Sequence, residues 1–132
     1  MTWISHILIG FFLNDLLLKF SGVCMGLYLV GLVLPDVMEY NHRTIGHSLL
    51  LWLPPFVVTY LVFRDVFNYY LPLFVGVVVH IFLDCFSKSG VRIFYPSDFR
   101  VRFGLYKTYS WSEWLILGIS VVIYWYFKGG FV

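Results

Sequence analysis

The stretch Tyr69-Tyr70-Leu71-Pro72-Leu73-Phe74-Val75-Gly76-Val77-Val78-Val79-His80-Ile81-Phe82-Leu83-Asp84-Cys85-Phe86 decides the fold. It carries no Lys, Arg or Glu, and its two ionisable residues of interest, His80 and Asp84, fall in its last turns. A helix rises about 1.5 Å per residue and the hydrocarbon core of a bilayer is about 30 Å thick, so a segment of this length spans it or nearly does.

Four more apolar segments flank it. The first runs Thr2 to Phe20, broken by Asn14, Asp15 and Lys19. The second runs Gly22 to Pro35 without a charge; the third runs Thr44 to Phe63 and contains Pro54-Pro55; the fifth runs Trp111 to Phe127. Of the 132 residues, 61% are hydrophobic and 12% charged, against about 25% charged in soluble domains. A soluble chain this short cannot hide so much apolar surface. Aromatics make up 22%, and Tyr and Trp favour membrane interfaces. The runs lack the alternation of barrel strands, which leaves helix as the state that satisfies the backbone in lipid. The expectation is one integral membrane domain over residues 1–132, an all-α polytopic transmembrane bundle of about five helices.

Details follow from the same reading. The first segment lacks a basic n-region and a small-residue cleavage site, so it is retained; it either spans or lies along the interface. The second is short, at roughly 20 Å, so the bilayer thins there or its end lies below the membrane surface. Pro54-Pro55 should bend or break the third helix. Cys24 and Cys85 lie in apolar surroundings and read as packing residues. A formal charge of +2 makes no case for nucleic acid.

With five spans, the side of the N-terminus holds Arg43, Lys88, Arg92, Arg100, Arg102 and Lys107, and the other holds Lys19, Arg64 and Lys128. The positive-inside rule makes the first side cytoplasmic, giving a multi-pass protein of the inner membrane with the lipid bilayer as partner. A basic loop that binds an anionic substrate gives the same excess. Arg92 to Lys107 therefore reads as a loop meeting anionic headgroups or as a substrate-phosphate site. The oligomeric state is not set by the sequence.

Alternating helix directions bring distant polar residues to one level: His6, Asp36, His42, His47, His80, Asp84 and Glu113. Each His alone reads most simply as a hydrogen-bonded structural residue; their convergence points to a metal site. His80 and Asp84, four apart, share a helical face. Imidazole and carboxylate donors suit Zn²⁺ or another divalent first-row ion. Six candidate ligands, His6, Asp36, His42, His47, His80 and Asp84, exceed one tetrahedral site, so either two ions bind or some residues orient others.

Leu34-Pro35-Asp36, His42-Arg43 through His47-Ser48, His80-Ile81-Phe82-Leu83-Asp84, Ser89-Gly90-Val91 and Tyr95-Pro96, together with an early His6, resemble the membrane-bound metal-dependent hydrolase family of the LexA-binding, inner-membrane-associated type. Two positions depart from it. Met38 stands where the family often has a second acid, which bears on the number of ions, and Gly46 stands where Thr is common. The order of His and Asp is also distantly similar to zinc-dependent phospholipase C, which implies phosphoester hydrolysis with His6, Asp36, His47, His80 and Asp84 as ligands and His42 and Arg43 as looser assignments.

The leading expectation is a metal-dependent hydrolase, phosphoesterase-like, acting at the membrane face on a phosphoester or lipid-like substrate with one or two divalent ions, zinc first. Glu113 or Glu39 would serve as general base or orient a ligand, and Arg43 would stabilise developing negative charge. The alternatives are a non-catalytic module with a structural metal site and a metal or proton transporter.

Overall fold

The computed structural model describes residues 1–38 and 45–129. Glu39, His42 and Arg43 lie outside the described residues. The described chain is helical: α1 Trp3–Leu13 continues into a π-helical turn Asn14–Leu18, followed by α2 Gly22–Val37, α3 Leu49–Val62, α4 Arg64–Cys85 and α5 Trp111–Phe127. There are no strands among the described residues, only two isolated bridges, Ser87 with Tyr106 and Val91 with Val101.

Local sequence explains each boundary. The Thr2 side chain accepts from Ser5 N and caps α1, satisfying an otherwise orphaned N–H. At its far end, Asn14 closes the reversal into α2: its Nδ2 donates to Phe20 O at 3.0 Å and its Oδ1 accepts from Phe20 N at 2.9 Å. Ser48 caps α3 by accepting from Leu50 N at 3.3 Å. The fifth helix has the bounds expected from its apolar run. The fourth begins at Arg64, not Tyr69, because Arg64, Asp65 and Asn68 form its polar first turns.

The prolines do not end the helices that contain them. Pro54 and Pro55 lie inside α3, which continues to Val62, and Pro35 lies inside α2, which continues to Val37. Pro54 and Pro55 fall in the second turn, where each removes one ladder bond to a carbonyl of the first turn without ending the helix. The break comes instead at Phe63, with φ −118° and ψ 62°, a single residue between α3 and α4.

The most extensive helix pair is α2 with α4. Gly31 and Gly76 meet there backbone to backbone: a Cβ on Gly31 would lie 2.1 Å from Leu73 O, and one on Gly76 would lie 2.2 Å from Tyr28 O. No larger residue allows that approach. The first helix joins through Tyr28, whose hydroxyl donates to Gly10 O at 3.0 Å. Residues 87–110 are laced to the ends of α3 and α4 by backbone bonds, including Leu49 N to Ile93 O, Phe103 N to Cys85 O and Leu105 N to Phe86 O.

Two ends result. Asp36, His47, His80, Asp84 and Glu113 gather at one. At the other, Asp15 accepts from Tyr124 Oη at 2.9 Å and pairs with Lys128 Nζ at 2.6 Å; that hydrogen bond raises the pKa of Lys128, just past α5. Between them the surface is apolar. On α3 and α5, Val58, Leu61, Leu115, Ile119, Val122 and Ile123 are all exposed, as side chains that face lipid would be. The 22-residue α4 is long and apolar enough to cross a membrane; the other four helices are apolar and shorter.

The glycine contact predicts a contrast. Gly76→Ala should destabilise the fold by about 1–3 kcal/mol through overpacking. Gly118→Ala on α5, where an added Cβ meets nothing within 4 Å, should be neutral or stabilising by up to about 1 kcal/mol. Unfolding in detergent micelles compares the two.

Candidate metal centre

Gly76, His80 and Asp84 are spaced by four along α4, so the face that touches α2 also carries the two donors. Across the contact, His80 Nδ1 lies 2.6 Å from Leu32 O. A carbonyl accepts, so Nδ1 carries a proton, and in the neutral ring Nε2 then presents its lone pair inward. One turn beyond Leu32, α2 delivers Asp36. The third arm is the turn before α3: Trp52 Nε1 donates to Gly46 O at 2.8 Å and Ser48 Oγ donates to Ile93 O at 3.1 Å, fixing His47 between them.

Four atoms converge. His47 Nε2 is 3.1 Å from His80 Nε2, 3.3 Å from Asp36 Oδ1 and 3.5 Å from Asp84 Oδ2. His80 Nε2 is 3.6 Å from Asp36 Oδ1 and 3.9 Å from Asp84 Oδ2. The four residues offer donor atoms all within 4.8 Å of one another. Ligands bonded at about 2.0–2.1 Å around a tetrahedral zinc stand about 3.3 Å apart, so the arrangement is close to what a single small divalent ion requires. The charges agree with this. Two carboxylates and the bare His80 nitrogen face each other in a buried space. A His47 N–H can serve only one of these acceptors at a time; a cation serves all of them.

His6 stands at the edge of this group. It is fully buried, its ring stacks on His80 at 4.0 Å between centroids, and its Nε2 lies 3.4 Å from Asp84 Oδ1. Neither ring nitrogen has a hydrogen-bond partner among the described residues, as expected of a donor facing an ion. Asp84 thus faces two ways, with Oδ2 toward His47 and His80, and Oδ1 toward His6, the Met1 amino nitrogen at 2.5 Å and Tyr106 Oη at 3.4 Å.

Glu113 is placed differently. It is buried, and its carboxylate accepts from Thr2 N at 2.6 Å, Thr2 Oγ1 at 2.9 Å, Ser5 Oγ at 2.8 Å and Tyr109 N at 2.9 Å. It clasps the start of α1 to the start of α5, and so positions Met1 and His6. The sequence reading missed Gly31, Gly76 and the Leu32 carbonyl. The Gly-x-x-x-His-x-x-x-Asp spacing was the available signal for Gly76; a backbone acceptor leaves no mark in a sequence.

Beside the cluster lies a cleft of about 350 Å³ lined by Met1, Thr2, Trp3, Asp36, Ser89, Arg100, Thr108 and Tyr109. Of the four clustered donors, Asp36 reaches this cleft.

Fold and site together define a helical protein with an apolar exterior and a buried two-His, two-Asp cluster at one end, able to hold a metal ion. The profile of the YdjM inner membrane protein family matches residues 1–131, and the chain belongs to that family. It is also similar to the uncharacterized protein YvsG of Bacillus subtilis (strain 168), with 39% identity over 90 residues, 67% of this chain and 56% of that protein. The match therefore spans little more than half of the relative's length. No solved structure matches the chain.

Detergent-purified protein is expected to retain a divalent ion, measured by elemental analysis, and to lose it in a His80→Ala, Asp84→Ala double variant. Glu113→Ala should keep the ion but lower stability by about 1–3 kcal/mol, because it strands the buried Ser5 hydroxyl and the part-buried donors of Thr2 and Tyr109.

Proposed function

We propose that this chain is a multi-pass, membrane-embedded metal-dependent hydrolase whose site lies at the cytoplasmic face and acts on a phosphoester of a lipid-like molecule. The observation that carries the reading is the position of Asp36, shared between the buried donor cluster and the cleft. A structural ion needs no such opening, whereas a catalytic ion keeps one position accessible. Membership of an inner membrane protein family and the outward apolar surface support placement in the bilayer. The basic side chains of residues 87–110 support the cytoplasmic assignment.

In this reading Asp36, His47, His80 and Asp84 hold the ion, with zinc the first expectation from the donor types. When bound, it supplies a low-pKa water and polarises a phosphoryl oxygen. The remaining steps belong to the chain. The Leu32 carbonyl keeps the His80 imidazole aimed and in one tautomer. His6, beside Asp84 and without a hydrogen bond, either extends the site toward a second ion or holds a proton at Nε2. Glu113 orients the start of α1 and thereby His6, a positioning role. His42, Arg43 and Glu39 keep the roles the sequence suggests: a further ligand, a stabiliser of negative charge and an alternative base. The distant likeness to zinc-dependent phospholipase C agrees with this chemistry and rests on residue order alone.

A structural metal is the second reading, favoured by four protein donors so close together. The two separate on turnover. Zinc-loaded protein in bicelles should hydrolyse at least one member of a panel of phospholipids and soluble phosphodiesters. An Asp36→Asn variant with intact helix content should lose at least about 100-fold in rate, since changes at metal ligands are costly in activity. Full metal loading with no turnover across the panel supports the structural role.

A further inference from the structure

The cleft beside Asp36 contains chemistry that the donor cluster does not use. Its wall carries Arg100, Ser89 and Thr108. Arg100 has no carboxylate partner and Ser89 no hydrogen bond among the described residues. Thr108 Oγ1 is buried and likewise has no hydrogen-bond partner among them. Buried hydroxyls are almost always bonded, so this one leaves a donor at the cleft wall for a ligand or water. Among the other polar groups of the cleft, the Met1 amino group pairs with Asp84. Thr2 gives both its N–H and its hydroxyl to Glu113, and Tyr109 gives its N–H to the same carboxylate.

We propose that this cleft is a binding subsite for a phosphate group, with Arg100 supplying the charge and Thr108 and Ser89 the flanking hydroxyl donors. The subsite deepens the hydrolase reading and rests on it for its purpose, but not for its existence. A guanidinium offers a planar fork of N–H donors that matches two oxygens of a phosphate, and two hydroxyls remain for a third oxygen. The Asp36 carboxylate repels an anion from its own side of the cleft, which holds the phosphate toward Arg100. Trp3, about half exposed on the same cleft, presents an indole at the level where lipid headgroups lie. A phosphate borne by a lipid therefore suits the site better than free phosphate.

Arg102 provides the control. It lines a separate shallow surface with Lys88, Phe103 and Gly104, so it carries the same charge outside the cleft. The experiment uses chelated, metal-free protein in a nonionic detergent, titrated with dihexanoyl phosphatidic acid and with inorganic phosphate and followed by phosphorus NMR line broadening. Wild type should bind the short-chain lipid; Arg100→Gln should weaken that binding at least ten-fold and Thr108→Val several-fold, while Arg102→Gln leaves it unchanged. Circular dichroism confirms the helix content of each variant. Inorganic phosphate should compete weakly. Inorganic phosphate binding as tightly as the lipid keeps the subsite and overturns its assignment to a lipid source. Equal losses in Arg100→Gln and Arg102→Gln, or no binding by wild type, overturn the subsite. Zinc-loaded protein that turns over a phosphoester without this phosphate binding retains the hydrolase and removes the subsite; binding without turnover does the reverse.

Discussion

The close approach of α2 and α4 at Gly31 and Gly76 is the constraint on which the rest depends. Without side chains at that crossing, the two backbones come near enough for the Leu32 carbonyl to reach the His80 ring at 2.6 Å. The orientation of His80 is therefore set by a helix backbone and not by a mobile side chain, which is as rigid a support as a protein can give a ligand. One turn onward, Asp36 and Asp84 are carried to the same depth by the same two helices. His47 comes from a third segment, and Trp52 and Ser48 bind that segment to its own helix and to residues 87–110.

The molecule inverts the usual distribution of polarity. Its ionisable residues are gathered at two ends, one around the donor cluster and one around Asp15, Tyr124 and Lys128, while large apolar side chains face outward along the helices between. Each end joins α1 to α5, through Glu113 at one and Asp15 at the other. In a solvent of lipid tails the helices gain little from hiding apolar surface from each other. Close packing at small residues and these polar clasps then supply the specificity.

Much of this was legible in the sequence, because its signals are local. Apolar runs marked all five helices, although polar residues broke the first and prolines the third, and the bounds of α5 could be read directly. The His80–Asp84 spacing fixed a shared face, and the alternation of helices brought Asp36 and His47 to its level. What could not be read depends on tertiary context. Arg64, Asp65 and Asn68 looked like a loop but are the first turns of α4. Pro54-Pro55 read as a bend or a break; the helix runs on through them, and the chain breaks at Phe63. Glu113 offered itself as a base by its position at a helix start, and its four hydrogen bonds to Thr2, Ser5 and Tyr109 appear only once α1 and α5 are side by side.

The connectivity of these contacts has a consequence for the order in which the molecule is made. Tyr28 reaches Gly10 across a separation of 18 residues, so α1 and α2 can close as a hairpin soon after they emerge. The bond from His80 to Leu32 spans 48 residues, and Asp84 is more distant still, so no donor partner from α4 exists when that hairpin forms. Loop closure makes such distant contacts late. Asp36 must therefore wait through the synthesis of α3 and α4 for the partners that α4 brings. The donor cluster can be completed only once α4 has been made, and the clasps of α1 to α5 at Glu113 and Asp15 close later still; a nascent chain stalled before His80 would hold a finished hairpin with half a site.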